Sequence, residues 1–403
     1  MTTTPIPTPA ARGRAARATI ATAFAFTVTM LGTTIPTPLY TLYAEQLRFT
    51  PLVVTVLFAV YAAGVVAALL LFGRLSDQIG RRPVLLAAVA LALVSAILFL
   101  LPSSLPLLIT ARIVSGLGAG LMSGAGTAAV MDLFPPERRG AAGSLAVIAN
   151  TGGLALGTLG AGLIAELAAE PLVTPFAAHL ALCALACTLL LAWTPAHVIT
   201  ARPSLRPQRL RVPADIRGDF VRAVLAAGTG FAVTGVLTAV SALFLARELG
   251  IENHALAGLV VFLAFAGMAA GQLIAARIRP RTALPLGCAG LAIAAGILAV
   301  ALAGSALAPL LIAAAVLGVS GGLCMNAGLA TTVGQVAPAH RGEVSSSFFA
   351  GLYLMLAVPA IGVGVLANAI GLRPAGLIFA AAVALLALAV GAAALQRSRR
   401  LGA

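Results

Sequence analysis

The chain has 403 residues, 61% of them hydrophobic and 9% charged, with a mean hydropathy of +1.08. Soluble domains carry about 25% charged residues, so the composition excludes a water-soluble globular protein and describes one built for a lipid bilayer. The net charge of +14 would in a soluble chain point to nucleic acid, but every basic residue is Arg and nearly all lie between apolar runs, so the charge reads as membrane topology with no nucleic-acid partner.

Arg12, Arg14 and Arg17 precede the apolar stretch Ala18 to Leu39, which is too long for a signal-peptide core and reads as an uncleaved first helix. Crossing ~30 Å of hydrocarbon takes about 20 residues. Runs of that size recur at roughly 18–40, 52–72, 83–101, 106–131, 142–165, 175–193, 220–246, 255–276, 283–304, 307–333, 344–368 and 374–395. An even number of spans places both termini on one side. Twenty-one arginines fall in segments on that side and three, Arg48, Arg247 and Arg373, on the other. The positive-inside rule therefore makes both termini cytoplasmic in a multi-pass protein of the cell's inner membrane. The Arg-rich stretch 194–219 is the expected cytoplasmic linker between a six-helix bundle over 1–193 and a second over 220–403. A repeat supports that division: Leu108 to Gly140 aligns without gaps on Leu310 to Gly342, with twelve of 33 positions identical. Among these are Gly116/Gly318, Gly120/Gly322, Pro136/Pro338 and Arg139/Arg341. Two parallel six-helix repeats are the layout of a transporter whose site lies near the midplane between halves.

Candidate functional residues follow in chain order. The first span carries Leu31-Gly32-Thr33-Thr34-Ile35-Pro36-Thr37-Pro38, whose prolines should bend or end the helix on its outer side. Thr22, Phe26, Thr29 and Thr33 share one face of this span, and Thr234, Thr238 and Ser241 share a face of the seventh, its counterpart in the repeat. After the second span comes Gly73-Arg74-Leu75-Ser76-Asp77-Gln78-Ile79-Gly80-Arg81-Arg82-Pro83. Its glycines permit a tight turn, and Asp77 is an acid in a loop where acid gains nothing for topology. In the fourth span Arg112 precedes Gly116-Leu117-Gly118 by four residues, and its face continues through Ala119, Ser123 and Thr127, a stripe suited to lining a cavity. A cation within a span costs from ~2.5 to over 10 kcal/mol, so it should face water or a partner. The fifth span holds Ser144, Gly153, Gly157, Thr158, Gly160, Ala161 and Gly162.

The stretch from Gly73 to Arg82 resembles the cytoplasmic signature of the major facilitator superfamily, Gly-x-x-x-Asp-x-x-Gly-Arg-Arg. The Arg112 segment is similar to a second signature of that family, and the first-span prolines to a pattern of its drug/proton antiporters. The fifth span resembles the antiporter signature, with Ser144, Thr158 and Ala161 departing from it. The resemblance implies an all-α membrane protein of twelve helices in two pseudo-symmetric six-helix bundles, working by alternating access without a cofactor or metal. It implies gating roles for Gly73, Arg74, Asp77, Gly80, Arg81 and Arg82, with Asp77 latching the cytoplasmic ends of the halves in one state, and a coupling or cavity role for Arg112.

No Asp or Glu sits clearly at mid-depth, which departs from the simplest proton-driven carrier. Glu45 and Asp132, near the ends of their spans, are the best remaining proton carriers. Polar side chains at lipid depth usually turn inward, which makes Thr33, Asn150, Thr238, Asn326 and Tyr353 the expected substrate cavity. The four cysteines fall inside apolar segments as helix filling, and no catalytic or metal-ligand spacing occurs. The expected function is proton-coupled efflux of a small neutral, amphipathic or weakly anionic compound by a bilayer-embedded monomer. Uptake, facilitated diffusion and a non-transporting solute receptor are the alternatives.

Overall fold

The computed structural model describes residues 9–195, 210–337 and 340–402, with the backbone alone for 9–12 and 398–402. Among the described residues, twelve helices are long and apolar enough to cross a membrane: α1 (Gly13–Leu47), α2 (Pro51–Phe72), α3 (Arg81–Leu100), α4 (Leu105–Asp132), α5 (Pro136–Leu167) and α6 (Thr174–Trp193), then α7 (Ala214–Leu249), α8 (His254–Ala275), α9 (Pro280–Gly304), α10 (Leu307–Val333), α11 (Arg341–Ile370) and α12 (Leu372–Arg397). They form two pseudo-symmetric six-helix bundles. Of the stretch read as a linker, 196–209 lie outside the described residues, as do Pro338 and the side chains of Arg12, Arg399 and Arg400. The last residues of that stretch, from Ala214, already belong to α7, whose first turn carries Asp219 where an acid suits the positive end of the helix dipole.

Two helices depart from regularity where the sequence offers a cause. Pro36 and Pro38 have no N–H to give to carbonyls one turn earlier. The first stretch of α1 ends at Thr34, a 3₁₀ turn covers Thr37–Leu39, and the helix resumes over Tyr40–Leu47 until Arg48 turns left-handed at φ 52°. The expected bend is therefore a break inside a helix that continues seven residues past the apolar run ending near 40. In α5 a π-helical turn over Ile148–Gly152 adds a residue to the helical repeat, shifting the face presented beyond it.

Glycines of the repeat do the same task in both bundles. An added Cβ on Gly116 or Gly120 of α4 would overlap the backbone of α2 at Tyr61 and Val65. On Gly318 or Gly322 of α10 it would overlap α8 at Ala264 and Met268. Small residues let these backbones touch, which is how helices gain packing contact in lipid without a hydrophobic drive. Large apolar side chains such as Ile97 on α3, Leu191 on α6, Ile293 on α9 and Leu385 on α12 are exposed, as a lipid-facing surface requires.

The bundles meet along α2 with α11 and α5 with α8. Contact is tight at the end opposite the arginines. A Cβ on Gly162 would strike the His254 carbonyl, one on Gly258 the Thr158 carbonyl, and one on Gly364 of α11 the side chain of Thr55 on α2. The Glu166 carboxylate at the end of α5 accepts Asn253 Nδ2 at 3.0 Å and the His254 N–H at 2.8 Å, satisfying a donor at the start of α8. Deeper between the bundles, Gln272 Nε2 donates to Thr151 Oγ1 at 3.1 Å.

Candidate functional site: a cavity between the bundles

The same helices separate toward the Arg-rich end and enclose about 1520 Å³ of empty space, including the open mouth. Its floor is formed by Thr33 and Thr34 at the break in α1, Phe58 and Tyr61 of α2, and Tyr353 and Leu356 of α11. The walls carry Ser123 and Thr127 of α4, Asn150 and Thr151 in the π-helical turn, Phe231 and Thr234 of α7, Phe265 and Met268 of α8, Met325 and Leu329 of α10, and Phe349. Gly73, Gly342, Ser345 and Ser346 stand at the mouth. Repeat-related pairs face each other across the space: Ser123 with Met325, and Thr127 with Leu329, 202 positions apart. Among the described residues, no lining side chain is Asp, Glu, Arg or Lys.

Tyr61 organises the floor. Its hydroxyl is within hydrogen-bonding reach of Thr33 in its own bundle and of Tyr353 in the other. Tyr353 in turn meets Phe231 edge-on, with ring centroids 6.0 Å apart. Behind the Tyr61 ring lies Arg112, its guanidinium carbon 4.4 Å from the centroid.

At the Arg-rich end, Gly73 closes α2, a short helix covers Leu75–Ile79, and Gly80 at φ 91° makes the turn into α3 that a side chain would strain. Arg81 is the hub: it donates to Asp77 at 2.5 Å, to Asp132 at 2.9 Å and to Ser76 at 2.7 Å. Arg82 donates to the Leu191 carbonyl in the last turn of α6, where a cation suits the helix dipole.

Comparison with known proteins identifies this architecture. The family model described as Major Facilitator Superfamily matches residues 22–358. The chain belongs to the Major Facilitator Superfamily. It is 34% identical over 82 residues to the protein described as multidrug resistance protein MdtL in Escherichia coli and in Shigella boydii, a match covering 20% of this chain. The chain thus spans about a fifth (21%) of the length of those curated relatives. Among solved structures it resembles a bacterial homolog of the human lysosomal transporter Spinster in its inward-facing, unoccupied conformation. The TM-score is 0.71 at 14% identity, covering 95% of this chain and 98% of that one. The human organic anion transporter MFSD10 (TETRAN) gives a TM-score of 0.66 at 16% identity, covering 93% and 99%. These likenesses establish the major facilitator fold, and the chain is a membrane-spanning transporter of that superfamily.

Within this transporter the expected site residues divide. Thr33, Asn150 and Tyr353 line the cavity. Thr238 does not: it is buried within α7, donating to the Thr234 carbonyl at 2.7 Å. Nor does Asn326, because α10 turns its neighbour Met325 to the space instead. The threonine faces reach the cavity only at Thr33 and Thr234, which, like Thr29, donate to carbonyls of their own helices. Glu45 lies at the opposite end of the molecule, in a crevice shared with Arg48, Arg247 and Glu252, and Asp132 belongs to the Arg81 network. Neither carboxylate touches the cavity.

Arg112 is the main correction. Only its stripe residues Ser123 and Thr127 face the space; Arg112 itself is 2% exposed and lies beneath Tyr61. Its Nη1 donates to the Thr33 carbonyl at 2.7 Å, and Nε lies 3.4 Å from the Leu57 carbonyl. The break in α1 explains the site: the last carbonyls of a helix lack intrahelical donors and carry partial negative charge, so a cation there is stabilised by dipole and hydrogen bond together. Cation–π attraction to Tyr61 adds to this.

The aromatic lining, Phe58, Tyr61, Phe231, Phe265 and Phe349, was not anticipated. A signal existed: aromatic residues are only 5% of the chain, so their concentration on the cavity-facing sides of α2, α7, α8 and α11 is out of proportion.

Proposed function

We propose that this transporter exports a small neutral, amphipathic or weakly anionic organic compound across the cytoplasmic membrane, as a monomer with both termini in the cytoplasm, in exchange for protons. The carrying observation is the cavity wall. Aromatic rings, thioethers and hydroxyls line it without a formal charge, while one buried cation stands behind Tyr61. Such a wall gives an amphipathic molecule apolar contact and a few orienting hydrogen bonds. The Arg112 charge makes the floor positive, which disfavours a strongly cationic substrate. Export draws support from the MdtL likeness and from the fifth-span glycines that seal the far end.

The absence of a carboxylate from the lining favours facilitated diffusion or uptake as the second reading. Internal pH in sealed proteoliposomes, followed while a panel of organic compounds is added to wild type and Arg112→Ala, separates them. Compound-driven proton movement that the variant loses supports coupling through Arg112, and its sign gives the direction. Compound flux without proton movement would sink the coupled reading and leave a uniporter. Bound compound without accumulation would make the protein a receptor.

A further inference from the structure

The cavity leaves unused a second concave site, on the Arg-rich end of the second bundle where the ends of α7, α9, α10 and α12 converge. Asp219 and Arg222 come from the first turns of α7, Arg281 from the first turn of α9, Gln335 from just beyond the end of α10, and Arg397 from the end of α12. They surround about 650 Å³ of empty space, part of it open. Arginines at this end serve topology, and that alone would not make a site. The acid is what distinguishes this cluster. Asp219, with a side chain only 12% exposed, accepts Arg222 Nη2 at 2.6 Å and also pairs with Arg397 across to α12. One carboxylate thus fixes two guanidiniums from different helices, each with further N–H donors to offer. Arg281 faces the same space and has no carboxylate partner among the described residues. Three guanidiniums against one carboxylate leave two positive charges in a preformed bowl.

The rest of the bowl points to the ligand. Its wall is apolar at Leu284 and Pro285. Next to it, Leu286 of α9 and Leu395 of α12 are exposed large apolar side chains on the lipid-facing helices. A ligand fitting this edge has a phosphate-like anion at the arginines and hydrocarbon running along α9 and α12. We propose that this pocket binds the phosphodiester headgroup of an anionic phospholipid from the adjacent leaflet, tying α7, α9 and α12 together at the membrane surface. Basic pockets between helices at the interface take such headgroups. The site is independent of the solute and of its direction of transport.

The test uses the full chain purified in detergent, with phosphatidylglycerol, phosphatidylcholine or inorganic phosphate added. Bound lipid is read by native mass spectrometry, and thermal stability by intrinsic fluorescence. Arg281→Gln leaves both Asp219 pairs intact, so it should fold. One phosphatidylglycerol should remain per wild-type chain and raise its melting temperature. Arg281→Gln should weaken that binding about five- to tenfold, the effect of one interfacial charge and its hydrogen bonds. Arg138→Gln, an equal loss of charge on the first bundle, should leave it unchanged. Equal retention of phosphatidylcholine, unchanged binding in Arg281→Gln, or an equal loss in Arg138→Gln would each overturn the proposal. Displacement of the lipid by millimolar inorganic phosphate, with the same melting shift from phosphate alone, would make this a free-anion site and overturn the lipid assignment.

Discussion

The seal between α5 and α8 should be the part of the transport cycle most sensitive to a single methyl group. In Gly162→Ala the new Cβ would overlap the His254 carbonyl, and in Gly258→Ala it would overlap the Thr158 carbonyl. Both obstacles are backbone, so no rotamer change relieves them; the helices must part. Forced overpacking of this kind costs about 1–3 kcal/mol. Parting the helices also stretches the two hydrogen bonds from Asn253 and His254 to Glu166. These are exposed to solvent and contribute at most about 1 kcal/mol. Together the terms disfavour the sealed state by about 1–4 kcal/mol, a shift of roughly 5- to 1,000-fold in the balance between conformers. The measurement is thiol labelling in intact cells with a membrane-impermeant maleimide. The reporter is one cysteine at Ser123 on the cavity wall, in a background whose four native cysteines are replaced by Ala. Wild type should react slowly from outside and quickly in inside-out vesicles. Gly162→Ala and Gly258→Ala should each react at least about fivefold faster from outside while compound transport falls. If both label as slowly as wild type from outside, with normal labelling in inside-out vesicles, the seal does not depend on backbone contact and the reasoning fails.

Tyr61→Phe and Tyr353→Phe should each weaken apparent substrate affinity about two- to tenfold, the scale of one net hydrogen bond. A double-mutant cycle on transport rates should be non-additive, since the two hydroxyls reach each other. Asp77→Asn should lower transport while membrane expression stays normal, whereas Asp132→Asn should cost less, because the latch role belongs to Asp77 and either variant leaves Arg81 one carboxylate and Ser76; equal loss in both variants would refute the ordering. Arg112→Met, which keeps the volume, should melt within about 2 kcal/mol of wild type because relief of the buried charge offsets its lost hydrogen bonds. Transport by that variant should fail, and Arg112→Lys should restore it only in part, for want of a planar group on Tyr61.

The helices, their number and their pairing into two bundles were legible because lipid imposes a coarse rule: about twenty apolar residues with every backbone group satisfied internally. The repeat glycines were legible as well, and the structure gives their reason in the contact of α4 with α2 and of α10 with α8. Orientation about each helix axis was harder to read. Thr238 and Asn326 sit at the expected depth but face α7's own backbone and away from the lining, respectively, because polarity locates depth and not azimuth. The π-helical turn that aims Asn150 and Thr151 has no period of its own in the sequence beyond the adjoining Gly152-Gly153. Arg112 was read from its cost in lipid, which demands a partner; the partner proved to be a carbonyl at the end of the first stretch of α1, 79 residues upstream.

That partner changes what the arginine can do. A cation facing the cavity would hold an anion directly; a cation behind Tyr61 acts through the ring and through the α1 break. Both of its carbonyl acceptors, Thr33 and Leu57, belong to the first bundle, so rocking of the bundles need not disturb them. Among the contacts between the bundles that rocking must change, the one from Tyr61 to Tyr353 lies at the cavity floor. A solute that takes the hydroxyl of either tyrosine competes with that contact, and its binding then carries differential free energy between the two arrangements, the condition for a ligand to shift them. Tyr61 is therefore the residue at which solute, buried charge and bundle contact meet.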